Sequence, residues 1–245
     1  MKAILLFSAA VAFVTAPLLV PSFDGFDPAA FPYPPVDPPV QPAGYAFAIW
    51  GLLYVWLLLH AGYGLLMRAD DKAWDAPRWP LFVSLGLGAI WLELAKQMPV
   101  MAVVLIWVMT GCALLALLRC PPKPGVKIDR WLLRAPIAAY AGWLTAAAGV
   151  GTGVVMTGYG LLSPVAVALV MLVPILLLAM AVQIRTEAPE YGAAVLWALI
   201  ALVVANATDA PVVALAAFVG AGIVAAAVWA TLRRSQIPAG DAGRG

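Results

Sequence analysis

Eight apolar stretches, separated by short polar breaks, fill almost the whole of this chain. Each is about 18–24 residues long, enough to cross the roughly 30 Å hydrocarbon core of a bilayer as an α-helix. Backbone N–H and C=O groups find no partners in lipid, so such a chain must close its hydrogen bonds within helices or within a sealed barrel. The ten-residue segments of alternating polarity that mark a barrel are absent. Composition points the same way. Of 245 residues, 64% are hydrophobic and 11% charged, against about 45–50% and 25% in a soluble domain. The expected fold is an all-α integral membrane protein with eight transmembrane helices.

The expected spans are Ala3 to Val20, Gly44 to Met67, Pro80 to Lys96, Pro99 to Leu118, Arg134 to Thr157, Leu162 to Gln183, Tyr191 to Thr208 and Pro211 to Leu232. A Pro- and Asp-rich segment, residues 21–43, joins the first two. Basic residues set the orientation. With the N-terminus cytoplasmic, the cytoplasmic side holds Lys2, Arg68, Lys72, Arg78, Arg119, Lys123, Lys127, Arg130, Arg134, Arg185, Arg233, Arg234 and Arg244. The opposite side holds only Lys96, with Asp24, Asp27, Asp37 and Asp209. The expected location is thus an integral membrane, of the bacterial inner membrane type, with both termini cytoplasmic. The first span has two readings. An uncleaved helix is favoured, because Pro17 directly after Val14-Thr15-Ala16 makes a poor cleavage site; a secretory signal is the alternative.

The net charge of +2 gives no case for nucleic acid. The basic run from Arg119 to Arg134 suits anionic lipid headgroups instead. Cys112 and Cys120 stand eight residues apart, roughly 12 Å along a helix, too far for a disulfide. A single histidine, His60, excludes a multi-histidine metal site, so no metal ligands are assigned. Phosphate-loop, nucleophile-elbow and zinc-protease motifs are absent, and an enzyme is not expected. Gly149-Val150-Gly151-Thr152-Gly153 lies inside an apolar span, where small residues mean close helix packing.

Ionisable groups inside spans are the usual markers of function. His60 shares a face of the second span with Trp56 and Tyr63, and it reads either as a packed histidine or as a polar contact to a ligand. Glu93 and Lys96, one turn apart, are expected to pair with each other.

Ten tryptophans are the second informative feature. Trp74, Trp79 and Trp131 flank span ends, where interfacial anchors sit. Phe47, Trp50 and Tyr54 share one face of the second helix, and Tyr140 and Trp143 share one of the fifth. Where two such faces meet they leave a flat apolar slot with a few polar tips, open to a planar ligand; plain bundle packing is the alternative.

The stretch Gln41-Pro-Ala-Gly-Tyr-Ala-Phe-Ala-Ile-Trp-Gly-Leu-Leu-Tyr54 resembles the start of the second helix in the TspO/MBR family, the tryptophan-rich sensory proteins that include the mitochondrial translocator protein. Trp91 in Ala-Ile-Trp-Leu and the pair in Tyr140-Ala-Gly-Trp143 are similar to that family's third- and fifth-helix aromatics. The resemblance covers residues 1–157 and implies a five-helix core. Residues 158–235 add three helices, as in longer, divergent relatives, and residues 236–245 form a polar tail. It implies a ligand site made by Phe47, Trp50, Tyr54, Trp91, Tyr140 and Trp143, to which His60, from its place inside the second span, is added as a candidate polar contact. The family's tryptophan-flanked loop is replaced here by Pro38-Pro39-Val-Gln-Pro42-Ala-Gly-Tyr45, and its third-helix asparagine by Gly88.

These features lead to a membrane ligand-binding protein of sensory or regulatory type. A porphyrin-like or other flat hydrophobic ligand and membrane lipid are its expected partners, and no cofactor is required. A transporter for a small hydrophobic substrate and a non-catalytic assembly partner are the alternatives. A homodimer through the Ala- and Gly-rich last helix is consistent with any of them. The last three helices are expected to pack beside the core without building the ligand site.

Overall fold

The computed structural model describes residues 1–20, 25–122 and 126–236. Asp24, Lys123, Arg244 and the polar tail beyond residue 236 lie outside them. Eight long helices carry the fold: α1 (Lys2–Leu19), α2 (Ile49–Leu66), α3 (Arg78–Gln97), α4 (Pro99–Arg119), α5 (Ala135–Gly158), α6 (Pro164–Thr186), α7 (Pro189–Asn206) and α8 (Pro211–Gln236). All eight expected spans are present, each long and apolar enough to cross a membrane.

Local chemistry sets their ends. Proline occupies the first or second position of α4, α5, α6 and α7, where its missing N–H costs nothing. Ser163 caps α6 by accepting from the Ala166 amide. The second span begins in a 3-10 turn, Gly44–Ala48, before α2 proper, and α5 is preceded by a π-helical turn, Arg130–Arg134.

The axis of the molecule is α5. Its span is 78% buried, whereas no other exceeds 50%. Helices α2 and α4 pack on one side of it and α6 and α7 on the other. Helix α1 fills the space between α2 and α3, α3 packs on α4, and α8 lies across α6 and α7. Two bundles therefore share one helix. The sequence of α5 permits this because it is thick with alanine and glycine. At Gly149 a Cβ would sit 2.6 Å from the Ile175 side chain of α6, and at Gly142 it would collide with the Tyr191 carbonyl of α7. Within the glycine-rich run, Gly149 packs closely on α6 as expected, while Gly153 receives Val40 of the Pro-rich segment.

One end of the bundle is stitched by ion pairs. Lys2 meets Asp75 at 2.6 Å, Arg68 meets Asp129 at 3.6 Å, Arg130 meets Glu190 at 3.6 Å and Arg234 meets Glu187 at 3.2 Å. The contacts place both ends of the described chain on the same face of the bundle, as an even number of spans requires. Exposed pairs of this kind contribute about 0–1 kcal/mol each, so they mark register more than stability. Arg78 matters more. Its buried guanidinium donates to the carbonyls of Gly64, Arg68 and Ala69, closing the C-terminal end of α2.

Two expectations need correction. Trp74 is 1% exposed and stacks on His60 with centroids 5.3 Å apart, so it is a core residue; only Trp79 and Trp131 are exposed as interfacial anchors. Its indole found an internal acceptor, Asp129, and no longer needs the interface. Glu93 accepts a hydrogen bond from Gln97, one turn on. The last three helices pack beside the core, as expected, but they do not stay clear of the space beneath the Pro-rich segment, because α7 packs directly on α5 and brings Ala198 to its wall.

The opposite end carries the Pro-rich segment, described from Gly25. It is irregular apart from the 3-10 turns Pro28–Ala30 and Gly44–Ala48. Four bonds pin it down. The Tyr33 amide donates to Gly158 of α5, and the Ala43 amide to Ala201 of α7. Asn206 Nδ2 donates to the Pro39 carbonyl and Trp197 Nε1 to that of Ala46, each at 2.9 Å. Val40 and Phe31 press on Gly153 and Gly158, the two glycines that leave room for them.

Candidate functional site

The first turns of α2 face α5 across the aromatic residues that the helical spacing selected. Trp50 stacks on Tyr54 with centroids 5.5 Å apart and planes at 18°. Trp143 of α5 presents its ring edge-on to both Phe47 and Trp50, at 6.0 Å in each case. Trp91 of α3 is fixed by a 2.9 Å bond from its Nε1 to the Ala102 carbonyl of α4. Edge-on and offset pairs of this kind contribute about 0.5–1.5 kcal/mol beyond their buried area.

These rings surround space. A cavity of about 380 Å³ is bounded by Phe13 and Pro17 of α1, Phe47, Trp50 and Tyr54, Gly88 and Trp91 of α3, Ile106 of α4, and Trp143 of α5. A second, of about 300 Å³, adjoins it under the Pro-rich segment. The two share Phe47, Trp91, Ile106, Trp143 and Ala147 as common wall. The upper space is roofed by Phe26, Pro28, Asp37, Gln41 and Pro42 and closed at the side by Ala198 of α7. Sizes of roughly 300–1,000 Å³ are those of small-molecule sites. A side chamber of only about 50 Å³ continues between α5, α6 and α7.

Five of the seven candidate residues line this space: Phe47, Trp50, Tyr54, Trp91 and Trp143. Tyr140 does not reach it. The phenol is fully buried one turn below, 3.1 Å from Ser84 Oγ, with the Phe13 ring edge-on at 5.8 Å. It supports the floor. His60 lies away from both cavities. Its Nδ1 is 2.7 Å from the Leu132 carbonyl, an acceptor only, so Nδ1 carries the proton, and the ring is covered by Trp74. Trp56 Nε1 likewise donates to Trp131. The π-helical turn shifts the backbone ladder there, and two of its carbonyls take these side chains from α2.

Several lining residues escaped the sequence reading. Ala146, Ala147 and Val150 stand three, four and seven places after Trp143, on one helical face, and that spacing was a usable signal. Phe13 carried none, because its place depends on Gly88: a Cβ there would lie 2.6 Å from the Phe13 ring. The ring of α1 thus occupies the space that the missing third-helix side chain leaves. Asp37 and Ala198 come from parts of the chain that only the fold brings together.

One polar atom at the centre is unmatched. Trp143 is 2% exposed, lines both cavities, and its indole Nε1 has no hydrogen-bond partner among the described residues. Buried indole N–H groups normally find an acceptor. No group of three or more metal-ligating side chains occurs among the described residues.

Fold and cavity together define an all-α integral membrane protein built around an aromatic-lined apolar space. A family model described as TSPO-like protein matches residues 35–230. That is well over half of the 245 residues, and the chain belongs to the TSPO-like protein family. The match runs from the Pro-rich segment through α7 and into α8, so it takes in the added helices as well as α2 to α5. The comparison with curated proteins and that with solved structures each give no match. Membership supports a membrane ligand-binding or transport-related role in general, in a family that is generally non-enzymatic.

Proposed function

We propose that this protein is a ligand-binding membrane protein of sensory or regulatory type, taking a flat, largely apolar ligand, porphyrin-like in shape, in the joined cavities between α2, α3, α4 and α5. The observation that carries this reading is the unmatched Trp143 N–H at the wall common to both spaces. A ligand with one lone-pair acceptor near the middle of a planar body would complete that bond and stack against Trp50, Trp91 and Phe47. Leaving a buried donor unpaired costs about 1–3 kcal/mol, which such a ligand recovers on binding. The Pro-rich segment acts as a roof, pinned to α5 and α7. The chain performs no catalysis in this reading, and it sits in a bacterial inner membrane with both termini cytoplasmic. Neither a cofactor nor a nucleic-acid partner is part of it.

Protoporphyrin dimethyl ester, a neutral flat tetrapyrrole, tests the reading. It should quench tryptophan fluorescence saturably, and Trp143→Ala should abolish the effect. Trp50→Ala, at a less buried position, is the second variant in case the first misfolds. Binding unchanged in both variants would overturn the proposal.

Transport is the second reading. The side chamber between α5, α6 and α7 extends the cavity toward the added helices, and Pro174 leaves a backbone donor missing inside α6. Saturable uptake of the same ligand into proteoliposomes would favour it.

A further inference from the structure

The charge of the walls narrows the ligand further. Among the described residues no lysine, arginine or histidine lines either large cavity, and the one carboxylic acid that does is Asp37. Its position is built in. Asp37 holds a left-handed backbone, φ +41°, a conformation that aspartate tolerates better than most residues. It does so directly before Pro38, where the chain is already restricted. The bonds from Gln41 to Pro38, from Asn206 to Pro39 and from Ala43 to Ala201 hold that stretch in place. Strained non-glycine residues of this kind concentrate at ligand clamps. The surroundings add to its sign. At this end of the bundle the described ionisable groups are Asp27, Asp37, Glu93 and Asp209 against Lys96.

Below Asp37 the wall is aromatic. Phe26, Phe47, Trp91 and Trp143 line the same cavity as Asp37, which stands exposed at its rim. A box of ring faces with a carboxylate at the rim is the arrangement that attracts cations, through the ring quadrupole and the opposite charge together. The same walls offer an anionic ligand no partner charge, and desolvating an unpaired carboxylate there is costly.

We propose that the ligand is an organic cation: a flat apolar body bearing a positive group that lies beside Asp37 and a lone-pair acceptor that meets Trp143. This rests on the cavity being the binding site. It goes further in assigning the charge of the ligand and in making Asp37 the residue that selects it.

Three flat dyes of different charge separate the two claims in a neutral detergent: Nile red (neutral), rhodamine 6G (cationic) and fluorescein (anionic). Binding is read by tryptophan quenching in the wild type, Trp50→Ala and Asp37→Asn. Asparagine keeps the left-handed backbone. The expected result is rhodamine 6G binding at least about tenfold more tightly than fluorescein at low salt. Asp37→Asn should weaken rhodamine 6G roughly three- to tenfold, with Nile red unchanged within about twofold. The preference should shrink in about 0.5 M salt, because the rim is open to solvent. Fluorescein binding as tightly as rhodamine 6G, or rhodamine 6G binding unmoved by Asp37→Asn, would overturn the assignment of charge while Nile red still reports a working cavity. Failure of all three dyes, or Nile red binding unaffected by Trp50→Ala, would remove the site itself and this inference with it.

Discussion

Asn206→Ala isolates the tie between α7 and the roof of the cavity. Asn206 is 3% exposed, and its Nδ2 stands 2.9 Å from both the Pro39 and the Leu202 carbonyls. Leu202 keeps its own helical bond after the substitution, whereas the Pro39 carbonyl loses its donor. Removing one partner of a buried hydrogen bond costs about 1–2 kcal/mol at a site close to solvent. If that cost falls on the closed roof alone, the equilibrium for lifting residues 37–46 moves by a factor of about 5–30. Amide hydrogen exchange reads that equilibrium directly. The Ala43 amide, which donates to Ala201 at 3.1 Å, should exchange faster by the same factor, with Gln41 following it. Amides in the middle of α7, residues 195–202, should stay within about twofold of the wild type. Equal exchange at Ala43 in both proteins would show that Asn206 does not hold the roof. Acceleration spread evenly along α7 would show that the residue stabilises its own helix instead.

Further outcomes follow from the packing. Gly153→Val should lift Val40 from α5, since even a Cβ there lies 2.6 Å from the Val40 side chain; overpacking of this kind costs about 1–3 kcal/mol, read as a lower melting temperature in detergent. Arg78→Ala should destabilise by about 2–4 kcal/mol through three carbonyls left without their charged donor, while Arg119→Ala, at an exposed position, should stay within about 0.5 kcal/mol. Burial pushes the Cys120 thiol up to about 12, so only about one molecule in 10⁴ carries the thiolate at pH 8. In a Cys112→Ser background, maleimide should therefore label Cys120 only after denaturation, and labelling of the folded protein within minutes would contradict its burial.

The number and place of the helices were legible because lipid imposes one length and one rule of backbone closure on every span. The aromatic faces of α2 and α5 were legible for a related reason: a period of 3.6 fixes which side chains share a side. What that period does not encode is depth. Tyr140 and Trp143 lie on one face, yet one turn separates a floor residue from a wall residue. Trp74 and Trp131 look alike in sequence as aromatics beside polar breaks, but the partners Asp129 and His60 decide that Trp74 turns inward. The role of α7 was hidden further still. Trp197 and Asn206 are isolated polar-tipped residues along the chain, and only their meeting with Ala46 and Pro39, over 150 positions away, makes them anchors of the roof.

The central claim is that a flat ligand occupies the space between α2, α3, α4 and α5 beneath the Pro-rich segment. Photo-crosslinking tests it most directly, with a flat apolar probe carrying a diazirine and competed by an excess of the unmodified compound. Competable adducts should map to peptides containing Phe47, Trp50, Trp91 and Trp143. Adducts confined to the lipid-facing surfaces of α1, α6 or α8, or labelling that competitor leaves unchanged, would contradict it.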